Sequence, residues 1–124
     1  MANILVAGGF LTTALLYREV LQDEGHRVFL AMNGEEGLEF AQRERIDVVI
    51  VDGNLIDFEV SGFLRRLKLL QPYVLGVLCV WASHGLSIDD HLWDGLYLKT
   101  KNYTYLQTVV QGLSSEVIQI EARA

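Results

Sequence analysis

The sequence predicts an α/β domain: a parallel sheet of five strands with helices on both faces. Short apolar runs alternate with amphipathic stretches along the whole chain, and glycine, asparagine and proline punctuate the joints. The central run, Ile46-Asp47-Val48-Val49-Ile50-Val51-Asp52, does not alternate apolar with polar beyond its first two residues. Such a strand is covered on both faces, as the middle of a parallel sheet is. Neither an all-helical nor an all-β fold accommodates that rhythm.

The first strand is Ile4 to Ala7. After Gly8-Gly9, the residues Leu11, Leu15, Val20 and Leu21 recur at helical spacing, with Thr12 or Thr13 available as a cap and Gly25 as the stop. Arg27 to Met32 makes a second strand. Asn33-Gly34 turns the chain into a polar helix that faces inward through Leu38 and Ala41. The central strand follows and ends at Gly53-Asn54. The next helix presents Phe63, Leu64, Leu67 and Leu70 on one side and is halted by Pro72. Val74 to Trp81 is the fourth strand. Ser83 to Asp94 is polar and holds a helix of two turns at most, over Ile88 to Trp93. Leu96-Tyr97-Leu98 is the fifth strand, and the last helix carries Leu106, Val109, Leu113, Val117 and Ile120 as a stripe. No repeat or low-complexity tract interrupts residues 1–124, which read as one domain.

Composition narrows the function classes. The formal charge is −6, and no basic stripe exists to displace counterions from phosphates, so nucleic acid is not a direct partner. No apolar run approaches the ~20 residues of a membrane span. The first seven residues are apolar without a basic leader segment and run into Gly8-Gly9, so they read as a strand. Cys79 is the single cysteine, within Val77-Leu78-Cys79-Val80; a buried, inert thiol and a reducing, cytoplasmic setting are expected.

Asp52 lies at the carboxyl end of a central strand, where open α/β sheets place their sites. Other candidates are less specific. Ala7-Gly8-Gly9-Phe10-Leu11-Thr12-Thr13 joins a strand to a helix, where backbone N–H groups can cradle an anion. It lacks the lysine and the glycine spacing of nucleotide-binding loops, and a tight turn explains it as well. His84 and His91, with Asp89 and Asp90 between them, match no zinc spacing and read as a solvated loop, Asp89-Asp90 capping the short helix. His26 sits in a surface turn, Gly25-His26-Arg27.

Taken together, five stretches resemble the receiver domains of bacterial two-component response regulators. They are Ile4-Leu5-Val6; Gly25-His26-Arg27-Val28; Asn33-Gly34-Glu35-Glu36-Gly37-Leu38; Asp47-Val48-Val49-Ile50-Val51-Asp52-Gly53-Asn54-Leu55; and Leu96-Tyr97-Leu98-Lys99. Their order and spacing cover nearly the whole chain. The resemblance implies a flavodoxin-like (βα)5 sandwich with strand order 2-1-3-4-5, Asp52 as phosphoacceptor and Lys99 as the site lysine.

Against that pattern the chain departs in several places. The two adjacent acidic residues of the family fall on Gly8 and Gly9, its hydroxyl residue on Trp81, its aromatic on Leu96 with Tyr97 beside it, and its proline after the lysine on Thr100, where a trans bond is expected. The loop after Asp52 is about two residues longer than the pattern, with Ser61-Gly62 in place of Asp-Gly, and the stretch from Trp81 to Lys99 is about four shorter, which shortens the fourth helix.

Three clustered carboxylates need a divalent cation, and Mg²⁺ in turn needs oxygen ligands. Gly8 and Gly9 supply no side-chain oxygen, and Lys99 alone leaves the Asp52 pocket close to neutral. No metal or other cofactor is therefore expected, and efficient phosphotransfer is not. Asp52 is either a phosphoacceptor or a carboxylate simply paired with Lys99. Trp81 either fills the space left by the missing acids or lies outward over the short fourth helix.

With chemistry reduced, surfaces carry the function. In the family, output runs through the fourth helix, fifth strand and fifth helix; here that face would hold Trp93, Tyr97, Tyr103 and Tyr105, residue types enriched in binding hot spots, although half-buried core positions explain them nearly as well. The expected partners are a sensor kinase or effector protein, or a second copy of the chain. The expected function is therefore a non-enzymatic receiver-like signalling domain acting by protein contact. The alternatives are a phospho-accepting receiver using Asp52 and Lys99, and a small-anion or nucleotide binder at the Gly8-Gly9 loop.

Overall fold

The structure, a computed structural model, describes residues 1–80, 92–99 and 106–113. The elements run β1 (Asn3–Ala7), α1 (Leu11–Asp23), β2 (Arg27–Ala31), α2 (Gly34–Arg43), β3 (Val48–Asp52), α3 (Val60–Leu70), β4 (Leu75–Val80) and β5 (Gly95–Leu98). A helical segment, 106–113, follows. The strands form one sheet in the order β2-β1-β3-β4-β5, every neighbouring pair parallel. This is the expected flavodoxin-like order. The shortened fourth helix expected between β4 and β5 lies outside the described residues.

Side chains alternate across the strands, so each strand feeds both layers. Ile4, Val6, Ile50, Val77 and Cys79 pack under α1 and segment 106–113 through Ala14, Tyr17, Leu21, Leu106 and Val110. Leu5, Ala7, Val49, Val51 and Leu78 pack under α2 and α3 through Leu38, Ala41, Phe63, Leu64 and Leu67. All five residues of β3 are buried, which is why its sequence shows no alternation. Among the described residues no helix is long and apolar enough to cross a membrane.

Several local expectations are corrected. Helix α1 starts at Leu11 with Phe10 at the cap position and no side-chain cap bond, so Thr12 and Thr13 fall inside its first turn. Its buried face is Ala14, Tyr17 and Leu21, while Leu11 and Leu15 are exposed. Leu70, last in α3, lies beyond the covered face and is exposed as well. The stop at Gly25 is observed: its φ is +88°, and its N–H donates to the carbonyl of Gln22 at 2.9 Å.

Two aromatic residues expected on an interaction face belong to the core instead. Tyr97 is fully buried, in register with Cys79, its ring edge-on to Tyr17 with centroids 5.8 Å apart. Alternation along β5 turns Tyr97 toward α1 and leaves Leu96 outward. Trp93 is 9% exposed and covers Gly76, where a Cβ would meet the indole at 3.3 Å and Leu64 at 2.6 Å; glycine there makes room for both side chains.

Candidate functional site

The site lies at the carboxyl ends of β3 and β5. Asp52 closes β3 opposite Cys79, and the next residue turns at once, the Gly53 N–H donating to the Cys79 carbonyl at 2.8 Å. The Asp52 side chain bends over that turn, its Oδ1 accepting from the Asn54 N–H at 2.8 Å. Lys99 follows β5, held by its own N–H donating to the Val80 carbonyl at 2.7 Å. Its Nζ lies 2.6 Å from Asp52 Oδ2, and both side chains are more than nine-tenths buried. The chain thus brings together two of the residues the sequence singled out, as a buried ion pair with a charge-assisted hydrogen bond.

Gly8 and Gly9 form the third part of the site. Both have left-handed backbones, φ +85° and +82°, and the Gly8 N–H donates to the Ala31 carbonyl at 2.9 Å. The turn is pressed against Asp52. A Cβ on Gly9 would lie 2.7 Å from Asp52 Oδ2, and one on Gly8 would lie 2.9 Å from Leu55 Cδ1 and 3.5 Å from Asp52 Cβ. Backbone conformation and space therefore both select glycine. An anion cradle fits this turn poorly, because the Gly8 N–H is already engaged and a carboxylate stands beside Gly9.

Behind Asp52 a narrow crevice is lined by Val6, Gly9, Tyr17, Ile50 and Cys79. Burial first, and then the Asp52 charge, push the Cys79 thiol far up, with Lys99 opposing. That thiol is not a nucleophile.

Asp57, which the sequence did not mark, ties the loop after Asp52 to the start of α2. Its Oδ1 accepts from the Gly34 N–H at 2.7 Å and its Oδ2 from the Glu35 N–H at 3.0 Å. Together with Asn33, whose Oδ1 accepts from the Glu36 N–H at 2.8 Å, it satisfies the first turn of α2. Desolvation pushes the Asp57 carboxyl up, but the backbone donors of Glu35 and Gly34 outweigh it and hold it below its ordinary range. The signal in the sequence was the length of the loop after Asp52, long enough to reach α2. Leu96 lies on β5 and is 41% exposed. Trp81, His84, Asp89, Asp90, His91, Thr100, Tyr103 and Tyr105 lie outside the described residues.

No protein-family model matches the sequence. Sporulation initiation phosphotransferase F of Bacillus subtilis (strain 168) is 30% identical over 72 residues, which span 58% of this chain and 58% of that protein. The match therefore covers less than two thirds of the relative. Among solved structures, the response regulator TrrA of Thermotoga maritima in complex with Mg²⁺-BeF superposes with a TM-score of 0.80 at 24% identity, over 91% of this chain and 99% of that one. The histidine kinase ThkA in complex with TrrA gives a TM-score of 0.79 at 26% identity, over 91% and 98%. In fold the chain matches response-regulator receiver domains, and it is similar to them in sequence over part of its length.

Among the described residues, those around Asp52 are a poor fit to a divalent ion. Mg²⁺ takes several oxygens at about 2.0–2.1 Å in octahedral array. Asp52 offers one carboxylate, already engaged by the Lys99 ammonium and the Asn54 N–H. Positions 8 and 9 offer no side-chain oxygen, and acidic side chains there would meet Leu55 and Asp52. Among the described residues no group of three or more His, Cys, Asp or Glu is placed to hold a metal.

Proposed function

We propose that this receiver domain, read as one unit over residues 1–124, is a non-enzymatic signalling module. It works through contact with a protein partner, a sensor kinase or an effector, and Asp52 takes up little or no phosphate in response to Mg²⁺. The observation that carries this reading is the Asp52–Lys99 pair at 2.6 Å under a two-glycine turn. Lys99 is the counter-ion of Asp52, so the electrostatic demand that would draw in a divalent cation is already met. A phosphoryl group arriving at Oδ2 would have to displace the ammonium. The protein-partner half is supported by the ThkA–TrrA likeness, in which a receiver is bound to a histidine kinase.

The same pair favours a second reading. The sequence resemblance implies Asp52 as phosphoacceptor and Lys99 as the site lysine, and the relative from Bacillus subtilis is named a phosphotransferase. Incubation with acetyl phosphate, with and without Mg²⁺, separates the two. The expected result is no gain in labelling on adding Mg²⁺. Stable, Mg²⁺-dependent phosphate on Asp52, lost in Asp52→Asn, overturns the first reading in favour of the second.

A further inference from the structure

We infer that the receiver domain self-associates through the outer faces of α2 and α3, as a two-fold dimer in which α3 of one copy lies on α2 of the other. The two helices sit side by side on one face of the sheet, and their exposed surfaces differ in character. Helix α3, Val-Ser-Gly-Phe-Leu-Arg-Arg-Leu-Lys-Leu-Leu, contains no acidic residue. Arg65 and Arg66 are exposed, and one turn further on Leu69 is 83% exposed, with Tyr73 at 72% just past the helix. Residues three and four apart on a helix are neighbours, so Arg65, Arg66 and Leu69 share one outer surface, with the Arg66 guanidinium 5.4 Å from the centre of the Phe58 ring. Within a chain of formal charge −6, this is a local concentration of positive charge around exposed apolar carbon.

Helix α2 presents the complement. Glu35 and Glu39 are exposed and one turn apart, a like-charge spacing that is unfavourable on an isolated helix, and Arg43 follows one turn beyond Glu39 at the end of α2. A surface carrying a basic-apolar strip beside an acidic strip is complementary to itself, because a two-fold rotation sets each strip against the opposite one twice. Glu39 and the pair Arg65/Arg66 each stand midway along their helices, so the charges meet at the same level when the helices are brought into contact. Charge pairing sets the register, and burial of Leu69 and Tyr73 supplies the non-directional part. This surface is independent of the chemistry of Asp52, and it differs from the face around β5, where Trp93 and Tyr97 are core residues.

Sedimentation of the purified chain tests the inference. The wild type is expected to shift from monomer toward dimer with concentration in low salt, and back toward monomer as salt screens the strips. Leu69→Ser removes only exposed carbon and is expected to weaken the dimer. Arg65→Glu/Arg66→Glu and Glu35→Lys/Glu39→Lys each set like charges against each other, and each is expected to weaken self-association at least about ten-fold. An equimolar mixture of these two variants restores both contacts and is expected to dimerise. Circular dichroism of each variant checks that it is folded. A wild type that stays monomeric at every concentration overturns the inference. A dimer indifferent to both charge reversals, or a mixture no tighter than its components, places the contact elsewhere and overturns it equally.

Discussion

At the scale of single residues, the site turns on how two buried charges are balanced. Removing charges from water is costly, and Asp52 and Lys99 offset that cost through each other, Asp52 also through the Asn54 N–H. Deleting one partner strands the other. Lys99→Met is therefore expected to lower unfolding free energy by about 3 kcal/mol, and Asp52→Leu/Lys99→Met to recover most of it. Urea unfolding of the four species of the cycle measures this, and additivity of the single changes would mean that the pair is not coupled. Asp52 was legible in the sequence because an apolar run ending in Asp-Gly-Asn marks the end of a covered strand. The approach of Lys99 was legible only through the family resemblance, since the residues between them in sequence say nothing about distance. That the Gly8-Gly9 turn would close down onto the carboxylate was not legible at all. It depends on two left-handed φ values, which glycine permits without requiring.

At the scale of elements, the strands and α2 follow their sequence closely, and α1 does not. Strands covered on both faces advertise themselves by unbroken apolar composition, and α2 by Leu38 and Ala41 within a helix that is polar elsewhere except at Phe40. In α1 nearly every turn offers a leucine or valine, so periodicity alone admits two faces. The choice between them depends on where the Gly9-Phe10 turn lets the helix begin. Starting at Leu11 sends Ala14, Tyr17 and Leu21 inward. The brace from Asp57 was hidden for a different reason, because its partners Gly34 and Glu35 lie over 20 positions away, |i−j| being 23 and 22. Asp57→Ala leaves two donors of the α2 first turn to water. Amide exchange at Gly34 and Glu35 is expected to quicken by several-fold, while exchange in β3 stays unchanged. Equal acceleration in both elements would assign Asp57 to global stability instead.

At the scale of the whole molecule, stability is tied to acidity through groups whose proton affinity changes on folding. His26 is one of them. Its Nδ1 accepts from the Ala2 N–H at 3.1 Å, and its affinity for a proton is lowered by burial first and then by the positive chain terminus, with Glu24 opposing. The folded state therefore prefers the neutral ring. Its contribution to stability is complete above the ordinary histidine value and is lost as pH falls from there through the lowered folded value. Unfolding measured between about pH 8 and about pH 5 is expected to show a downward slope toward acid that is shallower in His26→Gln. An unchanged slope would remove His26 from the account. The sheet order and both core layers were readable in advance because burial selects composition over many residues at once. The direction of Tyr97 was not legible because an isolated aromatic suits a half-buried face and a core equally well, and only the register of β5 against β4 distinguishes them.

The chain's only cysteine lies on β4, sealed beneath Asp52 and flanked by Tyr17 and Ile50. A thiol so placed is invisible to alkylating reagents while the sheet is closed, since only an exposed thiolate reacts. Cys79 is thus a native tripwire at the centre of the molecule. Its modification clocks each opening of the strands around residue 52 without any introduced probe.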